Sequence, residues 1–349
     1  MTTVDEAPLF KHVYGGLIAS AIGDAMGGPV EMLHHSEIEK HHGWIASLLP
    51  YHRPPGPAYV WKRNARAGTY TDDTRLKLIV ASLLIRHGRR LTGRSLATEF
   101  IRRHRAATPG SLEQAWFQEW ADVSRGFLSR TGPRRTVRLQ SFYGGEVVCG
   151  GLITLPPLGF LFPGAPRTAY RRAFELAFFD LGYARDATAM LTALVSRSMT
   201  ATGRMDRVIA GVYDDPYHLG TRPIFGRVCL RHVERALDVA RQSKTGRELI
   251  EKFQNTLPRA TPCDPAEILA VALGILQWAG GEPAEAIPLA VNFGRDNDTI
   301  AGTVGIVAGT LKGVDAIPTA WVESVEQANP EPPIRDLARE LCRSIRLSS

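Results

Sequence analysis

Two short acidic motifs hold the residues of this sequence that are best suited to chemistry. They are Thr71-Asp72-Asp73-Thr74 and Asp296-Asn297-Asp298-Thr299, which lie far apart in the chain. Each motif stands where a loop turns into an apolar helical pattern. Neighbouring carboxylates repel each other unless a cation holds them together. The two motifs therefore indicate a metal-ion cluster.

The residue types in these motifs indicate the kind of ion. Carboxylate and hydroxyl oxygens would converge at two helix N-termini, and the helices would hold them rigidly. Hard oxygen ligands suit Mg²⁺, Mn²⁺ or Ca²⁺ rather than zinc. Helix capping is the alternative interpretation, because Thr, Asp and Asn are favoured caps and Asp in a first turn interacts well with the helix dipole. Two such motifs, together with Glu31 after a glycine-rich helix end, favour the metal site.

Helical periodicity dominates the elements that must position these motifs. Residues 9–26 place Val13, Leu17 and Ile22 on one face, and small residues make this helix thin. The helix stops at Gly27-Gly28-Pro29, just before Glu31. An apolar helical pattern begins at the first acidic motif and includes Leu76–Leu84. Further helices are predicted at 94–107, 112–128, 168–181, 184–202, 225–243, 245–256, 265–279, 283–291, 299–312, 318–328 and 333–345.

Strand signals are few, because no sustained alternation of β-branched residues occurs and residues 152–161 are interrupted by Pro156, Pro157 and Gly159. We therefore predict an all-α fold. No linker, repeat or low-complexity segment divides the 349 residues. The two acidic motifs can share ions only if distant parts of the chain fold together. We therefore expect one domain over residues 1–349.

The composition is that of a soluble globular protein, with 44% hydrophobic and 22% charged residues. No apolar run approaches the ~20 residues of a membrane span. The first ten residues lack the basic region and apolar stretch of a signal peptide, so we expect a cytoplasmic protein. Cys149, Cys229, Cys263 and Cys342 are scattered without a Cys-x-x-Cys pair, which argues against a zinc site or a disulfide framework.

Basic residues give the chain a net charge of +7 and concentrate in Arg86–Arg105 and Arg125–Arg138. Solvated helix faces are the favoured interpretation. Nucleic-acid binding is not favoured, and attraction of a small phosphate-bearing substrate stays open. The pairs His34-His35 and His41-His42 are interpreted as solvated, because neither Cys nor a clear carboxylate pattern joins them.

Three blocks of sequence resemble the signature blocks of the ADP-ribosylglycohydrolase family. They are Gly23–Glu31, Tyr70–Thr74 and Gly294–Gly302, and they occur in the family's order and spacing, within a resemblance that covers roughly residues 9–320. The resemblance implies a single-domain orthogonal bundle of helices with two divalent cations, Mg²⁺ or Mn²⁺. It further implies a role for Glu31 near metal and substrate, and leaves a direct role for Asp24 open. The metal ligands that it implies are Thr71, Asp72, Asp73, Asp296, Asp298 and Thr299.

The resemblance implies hydrolysis of an N- or O-glycosidic bond to ribose, in an ADP-ribosylated protein or in a small molecule derived from NAD or a nucleotide. Such a reaction needs an oriented, activated water and stabilisation of the ribose hydroxyls or the leaving group. Two divalent ions can lower the pKa of a bridging water and chelate the ribose diol. Glu31 or one of Asp72, Asp73, Asp296 and Asp298 could take the proton. The alternative is a catalytically silent ADP-ribose-binding or regulatory module with the same fold.

The middle of the chain departs from the family pattern. Val148–Pro157 stands where the family has a Gly-Asn-Gly block followed by Met-Arg before a Pro, and Gly182–Asp186 stands where it has a Thr-His pair. Because of these changes, the sequence does not identify the leaving group. It also does not decide between Mg²⁺ and Mn²⁺, and it does not give the oligomeric state. Residues Gly144, Gly145, Glu146, Gly150, Gly151, Tyr183 and Asp186 are candidates for substrate binding.

A proline-rich loop over Tyr51–Gly68 leads into the first acidic motif. Lys62, Arg63 and Arg66 could bind a pyrophosphate, and Tyr59 or Trp61 could stack on a base. A solvated basic loop is the alternative. For Tyr143–Glu146, a loop with a purely structural role is likewise the alternative to lining the substrate pocket.

Overall fold

Helices make up most of the chain in the computed structural model, which describes residues 7–53, 64–109, 112–128, 147–213, 216–217, 227–259 and 261–347. The helices, in chain order, are α1 (Pro8–Gly27), α2 (His35–His42), α3 (Asp72–His87), α4 (Gly93–Ala106), α5 (Leu112–Leu128), α6 (Gly150–Thr154), α7 (Pro166–Leu176), α8 (Ala184–Ser198), α9 (Met205–Ile209), α10 (Val228–Gln242), α11 (Gly246–Thr256), α12 (Pro265–Trp278), α13 (Pro283–Phe293), α14 (Asn297–Lys312), α15 (Thr319–Ala328) and α16 (Ile334–Leu347). Short 3₁₀ turns occur at Gly28–Val30, Gly88–Arg90, Pro156–Leu161, Ala210–Tyr213 and Val314–Ala316.

Strands contribute one short antiparallel pair within the described residues. β1 (Tyr51–His52) pairs with β2 (Asn64–Ala65), with Tyr51 opposite Ala65. The pair closes the proline-rich loop, so the two ends of that loop lie together. The predicted all-α class is confirmed.

Three short helices were not predicted from the sequence: α2, α6 and α9. Helix α2 is mostly polar, and α6 and α9 have five residues each, so none shows an apolar repeat long enough to recognise. His34 begins α2, because its ring nitrogen accepts a hydrogen bond from the backbone N–H of Ser36 and Glu37 caps it in return. The capping geometry, not the hydrophobic pattern, starts that helix.

The central contact of the fold is between α1 and α14, which lie far apart in sequence. Their backbones touch. A Cβ atom on Gly305 would lie 2.2 Å from the carbonyl oxygen of Ala19, and one on Gly309 would lie 2.1 Å from that of Gly15. Both helices are buried along nearly their whole length. Glycine is required at these positions because no side chain fits between the two helices.

The same contact continues to the ends of the two helices that carry the acidic residues. A Cβ atom on Gly27, the last residue of α1, would lie 2.6 Å from the Cα atom of Asp298. Helices α3, α12, α13 and α16 pack around this pair. The end of α1 and the start of α14 are therefore fixed against each other.

None of the helices among the residues that the structure describes has the length and apolar character needed to cross a membrane.

Candidate metal and active site

The first acidic motif is attached to α1 by Asp24. The carboxylate of this fully buried residue accepts hydrogen bonds from the backbone N–H of Thr71 and of Thr74, both at 2.9 Å, and from the Thr74 hydroxyl at 2.5 Å. Both oxygens of Asp24 are thus used on protein donors. The structure places Asp24 behind the motif, where it positions Thr71, while a contact with substrate stays a prediction.

Thr71 caps the start of α3. Its hydroxyl accepts a hydrogen bond from the backbone N–H of Asp73 at 3.2 Å, and Asp72 and Asp73 follow in the first turn. The capping interpretation is therefore correct for Thr71. It does not account for the two carboxylates, because Asp73 is buried and points toward the second motif.

The second acidic motif begins α14 in a different way. Asp296 stands at the capping position, yet its side chain makes no capping hydrogen bond. The Oδ1 atom of Asp298 is buried and has no hydrogen-bond partner among the described residues. A buried carboxylate oxygen without a donor is costly unless a cation meets it. This oxygen is the observation that fits a metal ion best.

The two motifs contact each other directly. The Thr299 hydroxyl donates to Asp73 Oδ2 at 2.8 Å, and the Thr71 hydroxyl donates to Asp298 Oδ2 at 3.4 Å. The six residues proposed as ligands from the sequence thus converge at the starts of α3 and α14. Asp72 is the most exposed of the six.

Glu31 joins this cluster through a short antiparallel contact between two loops. The backbone N–H of Met32 donates to the carbonyl oxygen of Arg295 at 2.6 Å. The backbone N–H of Arg295 donates in turn to the carbonyl oxygen of Leu33 at 2.7 Å. Met32 and Arg295 both have positive φ, at 66° and 61°, which is uncommon for residues other than glycine. This backbone arrangement brings carboxylate oxygens of Glu31, Asp296 and Asp298 within 4.8 Å of one another.

Two residues at the start of the proline-rich loop also reach the cluster. Arg53 donates to the backbone carbonyl of Glu31 at 2.7 Å and lies 3.7 Å from its carboxylate. The Tyr51 hydroxyl is buried without a hydrogen-bond partner among the described residues, and burial and the charge of Asp24 raise its pKa. Sequence analysis missed both residues, although their position at the entry of a loop that ends on the first motif is a usable signal.

Burial and mutual repulsion perturb the carboxylates of the cluster. Burial, Asp298 and Asp72 raise the pKa of Glu31 well above its usual range. Burial and the neighbouring Asp72 and Asp24 raise the pKa of Asp73 to about 8. Burial likewise raises the pKa values of Asp296 and Asp298, and the negative charge of Asp73 raises both of them further. A bound cation would reverse these shifts, because it stabilises the ionised carboxylates.

A buried lysine lies on the inner side of the cluster. The Lys77 amino group donates to the Ser20 hydroxyl at 2.6 Å, and Ser20 donates to the carbonyl oxygen of Gly302. Burial lowers the pKa of Lys77, whereas the charges of Asp73, Asp24 and Asp298 raise it. Sequence analysis missed this residue, because a single lysine within an apolar helix pattern has no distinctive spacing.

A cavity of about 400 Å³ opens onto the cluster. Glu31, Asp72, Asp73, Asp296, Asp298 and Thr299 line it together with apolar residues and Trp120. Oxygen atoms from carboxylates and hydroxyls form its floor. This donor set fits hard divalent cations such as Mg²⁺ or Mn²⁺.

Comparison with known proteins identifies the family. A sequence profile of the ADP-ribosylglycohydrolase family matches residues 5–349. The chain belongs to the ADP-ribosylglycohydrolase family. The resemblance found in the three sequence blocks is thereby confirmed.

Two curated proteins and one solved structure are similar to this ADP-ribosylglycohydrolase family member. It is 24% identical over 343 residues to the uncharacterized protein YegU of Escherichia coli (strain K12), an alignment that covers 91% of this chain and 93% of YegU. It is 41% identical over 64 residues to the ADP-ribosylarginine hydrolase Tri1 of Pseudomonas putida (strain GB-1), which covers 18% of this chain and 16% of Tri1. A solved "ADP-ribosylglycohydrolase-related protein complex" has the same fold, with a TM-score of 0.64, 20% identity, and coverage of 96% of this chain and 98% of that one.

The divergent middle blocks divide into two kinds of environment. Gly150 lines the cavity at the start of α6, and the backbone N–H of Gly151 donates to Asp180 at 2.9 Å. Tyr183 does not line the cavity and donates its hydroxyl hydrogen to Asp264 at 3.1 Å. The candidates Gly144, Gly145 and Glu146 lie outside the described residues, as do Tyr59, Trp61, Lys62 and Arg63 of the loop.

Asp186 is held in a buried ion pair. Arg227 donates to its carboxylate at 3.2 and 3.3 Å, and the Tyr170 hydroxyl donates to it as well. Both members of the pair are almost completely buried. These contacts are those of a residue that joins α8 to the segment before α10, and Asp186 does not line the cavity described above. Its predicted role in substrate binding stays a prediction.

The two cysteines that the sequence left scattered, Cys149 and Cys263, meet at the cavity wall beside Asp296. The Cys149 thiol donates to Asp296 Oδ2 at 3.8 Å. A hydrogen bond with Cys263 and burial raise the pKa of Cys149, and the same hydrogen bond lowers the pKa of Cys263. The argument from spacing missed this pair because the fold, rather than a short loop, brings the two residues together.

Proposed function

We propose that this protein is a metal-dependent glycoside hydrolase that cleaves the N- or O-glycosidic bond of an ADP-ribosyl group or of a smaller ribosyl metabolite. The observation that carries the proposal is the meeting of two acidic motifs and Glu31 at the floor of a cavity, with a buried oxygen of Asp298 lacking a donor among the described residues. A merely structural cluster of this kind would be destabilised by its own charge.

The residues that would hold the cations are those of the two motifs. They are Thr71, Asp72, Asp73, Asp296, Asp298 and Thr299. When bound, Mg²⁺ or Mn²⁺ would supply Lewis acidity, which lowers the pKa of a water molecule and binds vicinal hydroxyls of a ribose. The hydrogen bonds of Thr299 to Asp73 and of Thr71 to Asp298 hold the oxygen atoms in place before a cation binds.

Glu31 is the proposed proton acceptor for the attacking water. Its carboxylate lines the cavity beside Asp296 and Asp298, and Arg53 holds its backbone and side chain in place. Trp120, Leu76 and Ile153 line the same cavity and exclude bulk water from one side of a bound ribose. An oxocarbenium-like transition state would gain from the surrounding negative charge.

The test is turnover on a panel of ADP-ribosylated peptides, free ADP-ribosyl conjugates and NAD-derived compounds. We expect EDTA to abolish turnover and Mg²⁺ or Mn²⁺ to restore it. Asp73→Asn and Asp296→Asn should each lower turnover by about 100-fold or more and weaken metal binding while the protein remains folded. Asp315→Asn is the matched control, because Asp315 is exposed and pairs with Lys11 in the 3₁₀ turn that follows the far end of α14. Full turnover in both cluster variants would overturn the dinuclear site.

A catalytically silent ADP-ribose-binding module with this fold is the second candidate. It is favoured by the departure at Gly182–Asp186, where Tyr183 and Asp186 bind other protein residues instead of standing free for a substrate. Metal-dependent binding of ADP-ribose without turnover of any panel member would select this candidate over the hydrolase.

A further inference from the structure

The wall of the cavity carries a second set of potential metal ligands with different chemistry. The Sγ atoms of Cys149 and Cys263 and a carboxylate oxygen of Asp296 all lie within 4.8 Å of one another. Cys149 Sγ is 3.8 Å from Asp296 Oδ2. Ligand atoms on a tetrahedral zinc ion with two sulfur ligands lie roughly 3.5–3.8 Å apart. The distance from Cys149 to Asp296 is therefore already that of two ligands on one ion, and the other two distances, at 4.8 Å or less, need only a small side-chain adjustment.

Both cysteines are held in place by neighbouring helix starts. Cys149 directly precedes α6, whose Gly151 N–H donates to Asp180. Cys263 directly precedes Asp264, which caps α12 by accepting from the backbone N–H of Ala266 at 2.9 Å. Cys263 is only partly buried and lines the cavity, so an ion can reach it from there. The set is therefore fixed and accessible.

We propose that Cys149, Cys263 and Asp296 form a binding site for a soft divalent cation of the zinc class. Thiolate ligands select such ions, whereas the oxygen cluster selects Mg²⁺ or Mn²⁺. Binding replaces the two thiol protons, which pass to solvent, and leaves a coordination position for water. The site is separate from the oxygen cluster except for Asp296, which belongs to both.

Sharing Asp296 gives the soft-metal site a consequence for catalysis, and this part rests on the proposed function. A zinc ion bound to the two sulfur atoms withdraws one carboxylate from the hard cation. We therefore expect zinc to inhibit turnover supported by Mn²⁺, even when Mn²⁺ is present in excess.

The binding experiment uses Co²⁺ as the probe and the reduced full-length protein. One equivalent of Co²⁺ should produce a thiolate-to-cobalt charge-transfer band in the near ultraviolet. Cys149→Ser and Cys263→Ser should each lose most of that band. Cys342→Ser should keep it, because Cys342 is buried on α16 away from the cavity. Survival of the full band in both cavity variants would overturn the proposal, as would its absence from the wild-type protein.

A second measurement needs no variant and so does not depend on how the variants fold. X-ray absorption of the wild-type protein loaded with one equivalent of Zn²⁺ should give two sulfur ligands at about 2.3 Å. A shell of oxygen and nitrogen atoms alone would overturn the site.

The inhibition experiment separates the two proposals. With Mn²⁺ in excess, the Zn²⁺ concentration that halves turnover should rise at least about tenfold in Cys149→Ser and Cys263→Ser, each compared with its own activity without zinc. Equal zinc sensitivity in wild type and both variants would refute the inhibitory role. Absence of turnover with a normal cobalt band would refute the proposed hydrolase and leave the thiolate site standing.

Discussion

At the scale of single residues, the buried aspartates of this protein are distinguished by what their oxygens bind. Asp24 uses both oxygens on N–H and O–H donors of the protein, and Asp186 is neutralised by Arg227. Asp298 keeps one buried oxygen without a donor among the described residues. Sequence analysis could not separate these cases, because they depend on partners that lie far away in the chain. The two acidic motifs were recognisable because each carries its carboxylates within four residues.

The raised pKa of Asp73 predicts how the metal-free protein responds to pH. Because the pKa of Asp73 in the folded protein, about 8, lies above its ordinary value of 3.8, its contribution to stability is fully present below about pH 4 and is lost as pH rises through 8. We expect the urea midpoint of the EDTA-treated protein to fall across this range. The same titration with Asp73→Asn should be flatter, and with Mn²⁺ bound the fall should disappear. A midpoint that rises from pH 4 to 8 would contradict the assignment.

Asp186 predicts a large loss of stability rather than a change of specificity. Removing its charge leaves the Arg227 guanidinium buried without the opposite charge of Asp186, and breaking a buried ion pair costs about 3–5 kcal/mol. We expect Asp186→Asn to lower the free energy of unfolding by that amount in urea denaturation. Asp206→Asn is the control, since its pair with Arg204 is exposed and should leave the free energy of unfolding almost unchanged. A stable Asp186→Asn protein with altered substrate preference would instead support the role expected from sequence.

At the scale of elements, the position of the site follows from how closely α1 and α14 pack. The long helices were predictable from apolar periodicity, and most of their bounds agree with the structure within a few residues. Two helices end earlier than predicted. Helix α7 ends at Leu176 instead of residue 181, and α8 ends at Ser198 instead of residue 202. What periodicity could not give was the partner of each helix. The abundance of small residues in α1 indicated a close contact, but only the fold identifies the glycines of α14 as the other surface.

The helix contact makes opposite predictions for two glycines on α14. A Cβ atom on Gly305 would stand 2.2 Å from the Ala19 carbonyl oxygen, so Gly305→Ala forces the helices apart and should cost about 1–3 kcal/mol. A Cβ atom on Gly302 meets nothing closer than 3.5 Å, so Gly302→Ala should stabilise the protein by up to about 1 kcal/mol through helix propensity. Thermal and urea unfolding of the two variants provide the comparison. Equal effects of the same sign would mean that the helices are not in backbone contact.

At the scale of the whole molecule, the cluster joins parts of the chain that local structure does not connect. Its residues come from the loop after α1, the start of α3 and the start of α14. The family, the fold class and the metal-ligand candidates could be inferred from three sequence blocks. Lys77 and the cysteine pair could not, because each acts through a contact that only the folded chain creates. Tyr51 and Arg53 have one sequence signal, which is their place at the entry of the loop that leads to the first motif.

This arrangement predicts that metal binding stabilises the protein globally. Mn²⁺ at 100 times its dissociation constant should add about 2.7 kcal/mol to the free energy of unfolding. Calorimetric melting with and without Mn²⁺ measures the effect. Asp296→Asn should lose most of it, whereas Asp315→Asn should retain it. A wild-type melting temperature that ignores Mn²⁺ would argue against a metal site formed only in the folded state.

The backbone contact between α1 and α14 also bears on how the protein is made. On the ribosome, α1 emerges first, and its partner α14 emerges only after most of the chain has been synthesised. Until then a helix that is buried along most of its length in the finished protein lacks its main partner, and Glu31, which follows it, has no opposing motif. Such late, long-range contacts are slow to form and leave apolar surface exposed in the meantime. The nascent protein should therefore depend on chaperones until α14 has left the ribosome, and only then should it acquire the ability to bind its metal.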